Sequence, residues 1–172
     1  MIEHPPRSAD DEVATAVNRG ITRLMSMQTG SGGLAFWPGG REPSLWGTAY
    51  GGLALALAQK QKFSVPDAEA KKVFSYLSGQ LRGMANDATG YGLSAQCLAV
   101  YTLALSGKPE PAYHDLLFQK RAKLSAEDRA LVALAVIVTL LVQAIPAGWL
   151  AARLGLLEDS PPLAEPAPDP AV

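Results

Sequence analysis

Cys97 and His114 are the side chains best placed by type to do covalent or proton-transfer chemistry in this sequence, which has one cysteine and two histidines. A nucleophilic Cys97 needs a neighbouring base and a lowered thiol pKa. It is followed instead by Leu98, Ala99 and Val100 in a helical apolar pattern, so it reads as a small core residue. His114 stands between Tyr113 and Asp115, an order that could orient a general base, yet the other histidine is His4 and no serine or cysteine motif accompanies the pair. His114 is therefore read as a structural or surface histidine. A zinc site needs cysteine, histidine and acidic ligands that converge, and here they are few and badly spaced. Residues 30–40 hold five glycines but no Gly-Lys-(Ser/Thr), and they follow a helix rather than a strand, so they form a structural turn and not a phosphate cradle. The expectation is a chain that is not an enzyme, with no catalytic residues and no cofactor or metal.

These residues are carried on helices. Ser8 precedes Asp10 and Asp11, acidic groups that oppose the positive end of a helix dipole, and Val13, Val17, Ile21, Leu24 and Met25 then recur at helical spacing. Thr29 and Gly30 stop that run. In the segment that follows, Gly32, Gly33, Phe36, Trp37, Pro38 and Gly39 suit a tight turn pinned by aromatic packing. A second helix over residues 44–59 puts Trp46, Tyr50, Leu53 and Leu57 on one side and Gly47, Gly51, Ala54 and Ala58 elsewhere, small residues that permit close helix approach. Trp37, Trp46 and Tyr50 then either line a pocket or anchor the loop against this helix, the second being favoured.

Pro66, Asp67 and Glu69 open a third helix carrying Val73, Phe74, Tyr76 and Leu77, ended by Gly79 or Gly83. A polar turn over residues 86–90 leads to a fourth with Leu93, Cys97, Leu98, Tyr101, Leu103 and Leu105, which stops at Gly107, Lys108 and Pro109. A fifth starts at Pro111, and the capping box Ser125-Ala126-Glu127-Asp128 opens a sixth at Arg129. No segment alternates as a strand does, so the fold class is all-α. Leu55-Ala56-Leu57, Leu103-Ala104-Leu105 and Leu134-Ala135-Val136 recur in helices separated by hairpins, as in degenerate helix-pair repeats.

The 172 residues are 48% hydrophobic and 18% charged, enough apolar material for one sizeable core. Lys and Arg number 15 against 16 Asp and Glu, so no net field draws in nucleic acid, and the groups at Lys60, Lys62, Lys71 and Lys72 read as solvated faces. The N-terminus shows no cationic stretch followed by an apolar one, hence no signal peptide.

Two blocks carry a resemblance. Ser31-Gly32-Gly33-Leu34-Ala35-Phe36-Trp37-Pro38-Gly39-Gly40 with Trp46-Gly47-Thr48-Ala49-Tyr50 resembles the glycine-rich aromatic block of bacterial alpha-2-macroglobulin thioester domains. The stretches that begin at Cys97 and at Leu124 are similar to downstream helices of the same domain. The likeness covers roughly residues 13–137. It implies a partial α/α toroid of helical hairpins, the fold shared with terpenoid cyclases and protein prenyltransferases, in large envelope or secreted proteins that trap proteases. Implied partners are other macroglobulin-type domains or a protease, and the implied location is the cell envelope. The family's covalent chemistry comes from Cys-x-Glu-Gln, whose thiol and carboxamide form an internal thioester. No Glu-Gln pair occurs in this sequence, and a lone thiol without an acylating partner cannot trap a nucleophile. The resemblance places the missing motif upstream of residues 21–28.

Residues 130–152 are uncharged, long enough to cross a bilayer. Val136, Ile137, Val138, Leu140, Leu141 and Val142 suit a spanning core, with Trp149 at an interface. Against this, Pro146 and Gly148 can end or kink the helix, as befits a buried one, and the basic residues before the run would leave the domain in the cytoplasm. Both readings stand here: a buried helix, or a membrane anchor for a helical interaction module. A cyclase-like enzyme ranks last, for lack of an Asp-rich block. The organisation expected is a disordered start over residues 1–9, the toroid-like part over 10–137, an apolar helix over 138–157 and a Pro-rich disordered tail over 158–172.

Overall fold

The computed structural model describes residues 9–83 and 90–153, with the backbone alone at Ala9 and over 145–152. Six α-helices follow one another: α1 (Ala9–Ser26), α2 (Leu45–Lys60), α3 (Asp67–Gly83), α4 (Tyr91–Leu105), α5 (Pro111–Gln119) and α6 (Ala126–Arg153), with a 3₁₀ turn at Arg121–Lys123 before α6. The described residues contain no strand beyond one isolated antiparallel bridge between Gln28 and Leu34, so the all-α expectation holds. The expected N-terminal, 86–89 and tail segments lie outside the described residues, apart from Ala9 at the start of α1.

Local chemistry sets the helix ends. Ser44 caps α2 by accepting from Gly47 N at 3.1 Å. Pro111 opens α5, where its fixed φ suits the first helical position. Ser125 is itself the cap of α6, accepting from Asp128 N at 3.1 Å, so this helix begins at Ala126 and not at Arg129. The Asp128 carboxylate also accepts from Ser125 Oγ and from Ser94 Oγ, both at 2.9 Å, which ties the start of α6 to α4.

α2 and α4 end in the same way. Lys108 N reaches back to Leu103 O and Gly107 N to Ala104 O after α4, while Phe63 N bonds Ala58 O and Lys62 N bonds Gln59 O after α2. Both are Schellman motifs with a left-handed residue, Gly107 at φ 76° and Lys62 at φ 63°.

Packing follows the repeat seen in the sequence. α4 lies between α2 and α6, its most extensive partners, so the three form a row. α3 bridges α2 and α4, α5 touches α4 and α6, and α1 rests on α2. The Leu-Ala pairs fall one in each row helix, and Ala56, Ala104 and Ala135 are all buried. α4 is the centre of the core, with Leu93, Cys97, Val100 and Leu103 fully or almost fully enclosed.

The orientation of α2 reverses what its aromatic residues suggest. Ala49, Gly51, Gly52, Leu55 and Ala56 face the core, whereas Trp46, Tyr50 and Leu57 are exposed. The reason is close approach. A Cβ on Gly52 would stand 3.1 Å from Thr102 Cγ2 in α4 and 3.3 Å from Val73 Cγ1 in α3, so a larger residue would push both side chains back by a few tenths of an ångström where three helices meet. Thr102 Oγ1 donates to Ala49 O at 3.0 Å across the same contact.

α6 continues across Pro146 to Arg153, so residues 137 and 138 belong to one helix. Val132, Ala135 and Thr139 are buried, while Ile137, Leu140 and Leu141 are exposed. Among the described residues, no helix is long and apolar enough to cross a membrane. The side chains of 145–152, on which the spanning expectation partly rests, lie outside the description.

Candidate functional site

The loop between α1 and α2 is built from its glycines. Gly32 has φ 91°, and a Cβ there would lie 2.8 Å from Lys72 O in α3. A Cβ on Gly33 would meet Pro43 Cβ at 2.7 Å and the Tyr76 ring at 2.9 Å. Gly39, at φ 75°, allows the turn around Pro38. Gln28 Nε2 donates to Gly32 O at 3.2 Å and to Glu69 O at 2.9 Å, which fastens the loop to the start of α3.

The residue that locks the loop to α2 is Leu34. It is buried, its N–H donates to Thr48 Oγ1 at 2.8 Å and its carbonyl accepts from Ser44 N at 2.9 Å. Phe36 and Trp37 are 60% and 66% exposed, with ring centroids 6.4 Å apart. Trp46 and Tyr50 stack in parallel at 5.4 Å along α2, with Tyr50 59% exposed. The aromatic residues thus form a surface, and an aliphatic side chain with a threonine does the anchoring that the sequence assigns to them. Burial, with Glu42 nearby as a lesser cause, pushes the Tyr76 phenol up beneath this loop.

Cys97 is enclosed in α4 among core residues. Burial, followed by the negative charge of Asp128, pushes its thiol up to about 12, so at neutral pH it stays protonated and is a poor nucleophile. Among the described residues, no group of three or more His, Cys, Asp or Glu comes together to hold a metal ion.

His114 is 6% exposed and lines a groove of about 460 Å³ between α5 and α6, with Phe118, Val132, Val136, Arg121 and Arg129. Its Nε2 has no hydrogen-bond partner among the described residues. The histidine that the sequence presents as structural or superficial is thus a buried one. Desolvation lowers its pKa, against a smaller opposite effect of Asp115. The folded state therefore holds this imidazole neutral while the unfolded chain, with an ordinary value near ~6.5, takes up a proton first as pH falls. Stability is expected to be fully present above that value and to decline below it, read as a lower urea midpoint at pH 5 than at pH 7.5. His114→Phe should flatten that part of the profile.

No family model and no curated protein matches the chain. Solved structures do. The native alpha-2-macroglobulin of Escherichia coli, spanning domain MG7 to its C-terminus, is similar with TM-score 0.68 and 24% identity, over 78% of this chain and 22% of that one. Salmonella alpha-2-macroglobulin reacted with methylamine gives TM-score 0.68 and 24% identity, over 78% of this chain and 9% of that one. Trypsin-activated alpha-2-macroglobulin from E. coli gives 0.67 and 23%, over 77% and 10%. The fold is one found within bacterial alpha-2-macroglobulins. The chain spans less than a quarter of the length of any of these.

Within this alpha-2-macroglobulin-like segment, Gly32, Gly33, Phe36, Trp37, Pro38, Gly39, Trp46 and Tyr50 do gather in one loop and the adjoining end of α2. Cys97 and His114 lie apart from them, one in the interior of α4 and the other over α5 and α6. Sequence reasoning missed Leu34, Thr48 and Thr102. The available signal was a threonine on the small-residue side of α2 and of α4, where a hydroxyl can satisfy a neighbour's backbone at close approach.

Proposed function

We propose that this chain is a piece of an alpha-2-macroglobulin-type thioester domain from a protease-trapping protein of the cell envelope, and that it works by packing rather than by chemistry. The similarity at TM-score 0.68 over 78% of the chain carries this reading, and the glycine-rich aromatic block supports it independently. On this reading the row α2–α4–α6, with α1, α3 and α5 outside it, is an arc of an α/α toroid of the kind that terpenoid cyclases and prenyltransferases share.

The piece is non-catalytic and non-covalent on its own. It lacks Cys-x-Glu-Gln, and its one thiol is buried and protonated. Its partners are other macroglobulin-type domains or a protease, met through the faces that the row leaves open: Trp46, Tyr50 and Leu57 on α2, and Ile137, Leu140 and Leu141 on α6. Repeat arrays normally close such ends with polar caps, and an open apolar end favours a covering surface.

Two measurements test this. Trypsin or methylamine mixed with the purified chain should leave no covalent adduct by intact mass, and an adduct would overturn the non-covalent assignment. The reading frame upstream should encode macroglobulin-type β domains and a Cys-x-Glu-Gln, whereas an unrelated neighbouring gene would remove the family reading.

A further inference from the structure

α6 carries two apolar stripes. Val132, Ala135 and Thr139 are buried on the side turned to α4 and α5, and no charged residue stands between Ala130 and Ala152. On the outer side Ala130, Leu134, Ile137, Leu141 and Ala144 are all exposed and follow one another at intervals of four, three, four and three, the rhythm of a seam between two helices. Leu134, Ile137 and Leu141 keep 43%, 51% and 60% of their surface in water, and Leu140 beside them keeps 59%. Ile137 also lines the groove toward α5, as does Phe118, itself 60% exposed, so stripe and groove make one apolar surface. A helix apolar all round is normally a helix buried all round.

The stripe matches itself when reversed. Ile137 is its midpoint, seven residues from Ala130 and seven from Ala144, with leucines three residues before and after it at Leu134 and Leu140. Two copies laid antiparallel about a two-fold axis through Ile137 set Leu134 against Leu140 and Ala130 against Ala144, twice over, and the seam takes no charge out of water. Charge decides the direction. Lys120, Arg121, Lys123 and Arg129 outnumber Glu127 and Asp128 at the beginning of α6, so a parallel pair would bring two basic ends together. An antiparallel pair carries them toward the other copy's helix end, where the dipole is negative and the sequence goes on to Glu158 and Asp159.

We propose that α6 pairs with α6 of a second copy of this chain, antiparallel, with Ile137 on the two-fold axis. The assignment goes beyond the family reading and does not depend on it; it takes the α6 face and leaves that of α2 to another domain. One helix face is narrower than a standard interface of about 20–30 residues a side, so association is expected on the order of tens of micromolar. Unfolding followed well below that concentration sees single chains.

Sedimentation velocity of the whole chain, from about a tenth to about ten times that concentration, tests the pairing. A single-chain species should pass into a dimer. Ile137→Glu, which brings two carboxylates face to face in the seam, should weaken association about 100-fold or more. Its helical circular dichroism should be unchanged, since the position is exposed. Val13→Glu, at an exposed site on α1, should leave association as it was. Ala130→Cys mixed with Ala144→Cys should oxidise to a linked dimer, whereas Ala130→Cys alone should not, the native Cys97 being buried. A chain that stays single at every concentration, or that stays single and takes its stripe into phosphatidylcholine vesicles, would overturn the proposal. So would a dimer that Ile137→Glu leaves intact, or linkage of Ala130→Cys to itself as readily as to Ala144→Cys. The cysteine pair keeps the matter decidable should Ile137→Glu not fold.

Discussion

Leu103→Ala is expected to lower the unfolding free energy by about 2–5 kcal/mol, the range for emptying a well-packed core position. Leu103 is fully buried on α4, the helix on which α2 and α6 both rest, and its carbonyl also accepts the Lys108 N–H that closes the helix. The surroundings cannot collapse far, because Ala99, Val100 and Ala104 beside it are also enclosed. Domain stabilities run about 5–15 kcal/mol, so the loss would be a large fraction of the total, visible as a lower urea midpoint. Leu141→Ala is the matched control. That residue is exposed on α6, and its removal should cost no more than about 0.5 kcal/mol. Equal losses at the two positions would mean that the outer side of α6 is covered in solution.

Gly32→Ala is expected to be the most damaging change in the α1–α2 loop. Its φ of 91° is a conformation that costs a residue with a Cβ on the order of 1–3 kcal/mol. The added carbon would also press against Lys72 O, 2.8 Å away, and the backbone of α3 is poorly able to retreat. Gln28 holds Gly32 O and Glu69 O together, so the strain would spread to the start of α3. Denaturant unfolding followed by tryptophan fluorescence reads this directly, since Trp37 lies in the loop and Trp46 in the first turn of α2. Gly30→Ala, with no atom near its Cβ position and no positive φ, should be close to neutral. A Gly32 variant as stable as the Gly30 variant would show that the loop does not depend on the left-handed turn.

What could be read from the sequence was what one residue or one helix decides alone. Pro111 begins α5, Ser125 caps α6, Gly107 closes α4, and the rhythm from Val13 to Leu24 marks α1. The inner side of α2 was harder. A helix that buries glycine and alanine against two neighbours and leaves a tryptophan and a tyrosine outside inverts the usual rule, and only the neighbours' positions reveal it. The same holds for the loop, where glycine spacing showed a tight turn but not that Leu34 and Thr48 would fasten it. The environment of His114 depends on α5 and α6 coming together, and no local pattern reports that.

The bare flanks of the row also bear on how this molecule should be assayed. A ligand or neighbouring domain that binds the folded flank and not the unfolded chain adds stability by mass action, in proportion to the logarithm of its concentration over its Kd. Melting temperature then becomes a property of the mixture as much as of the polypeptide, and a dilution series is the natural way to measure how strongly Tyr50 and Ile137 are sheltered.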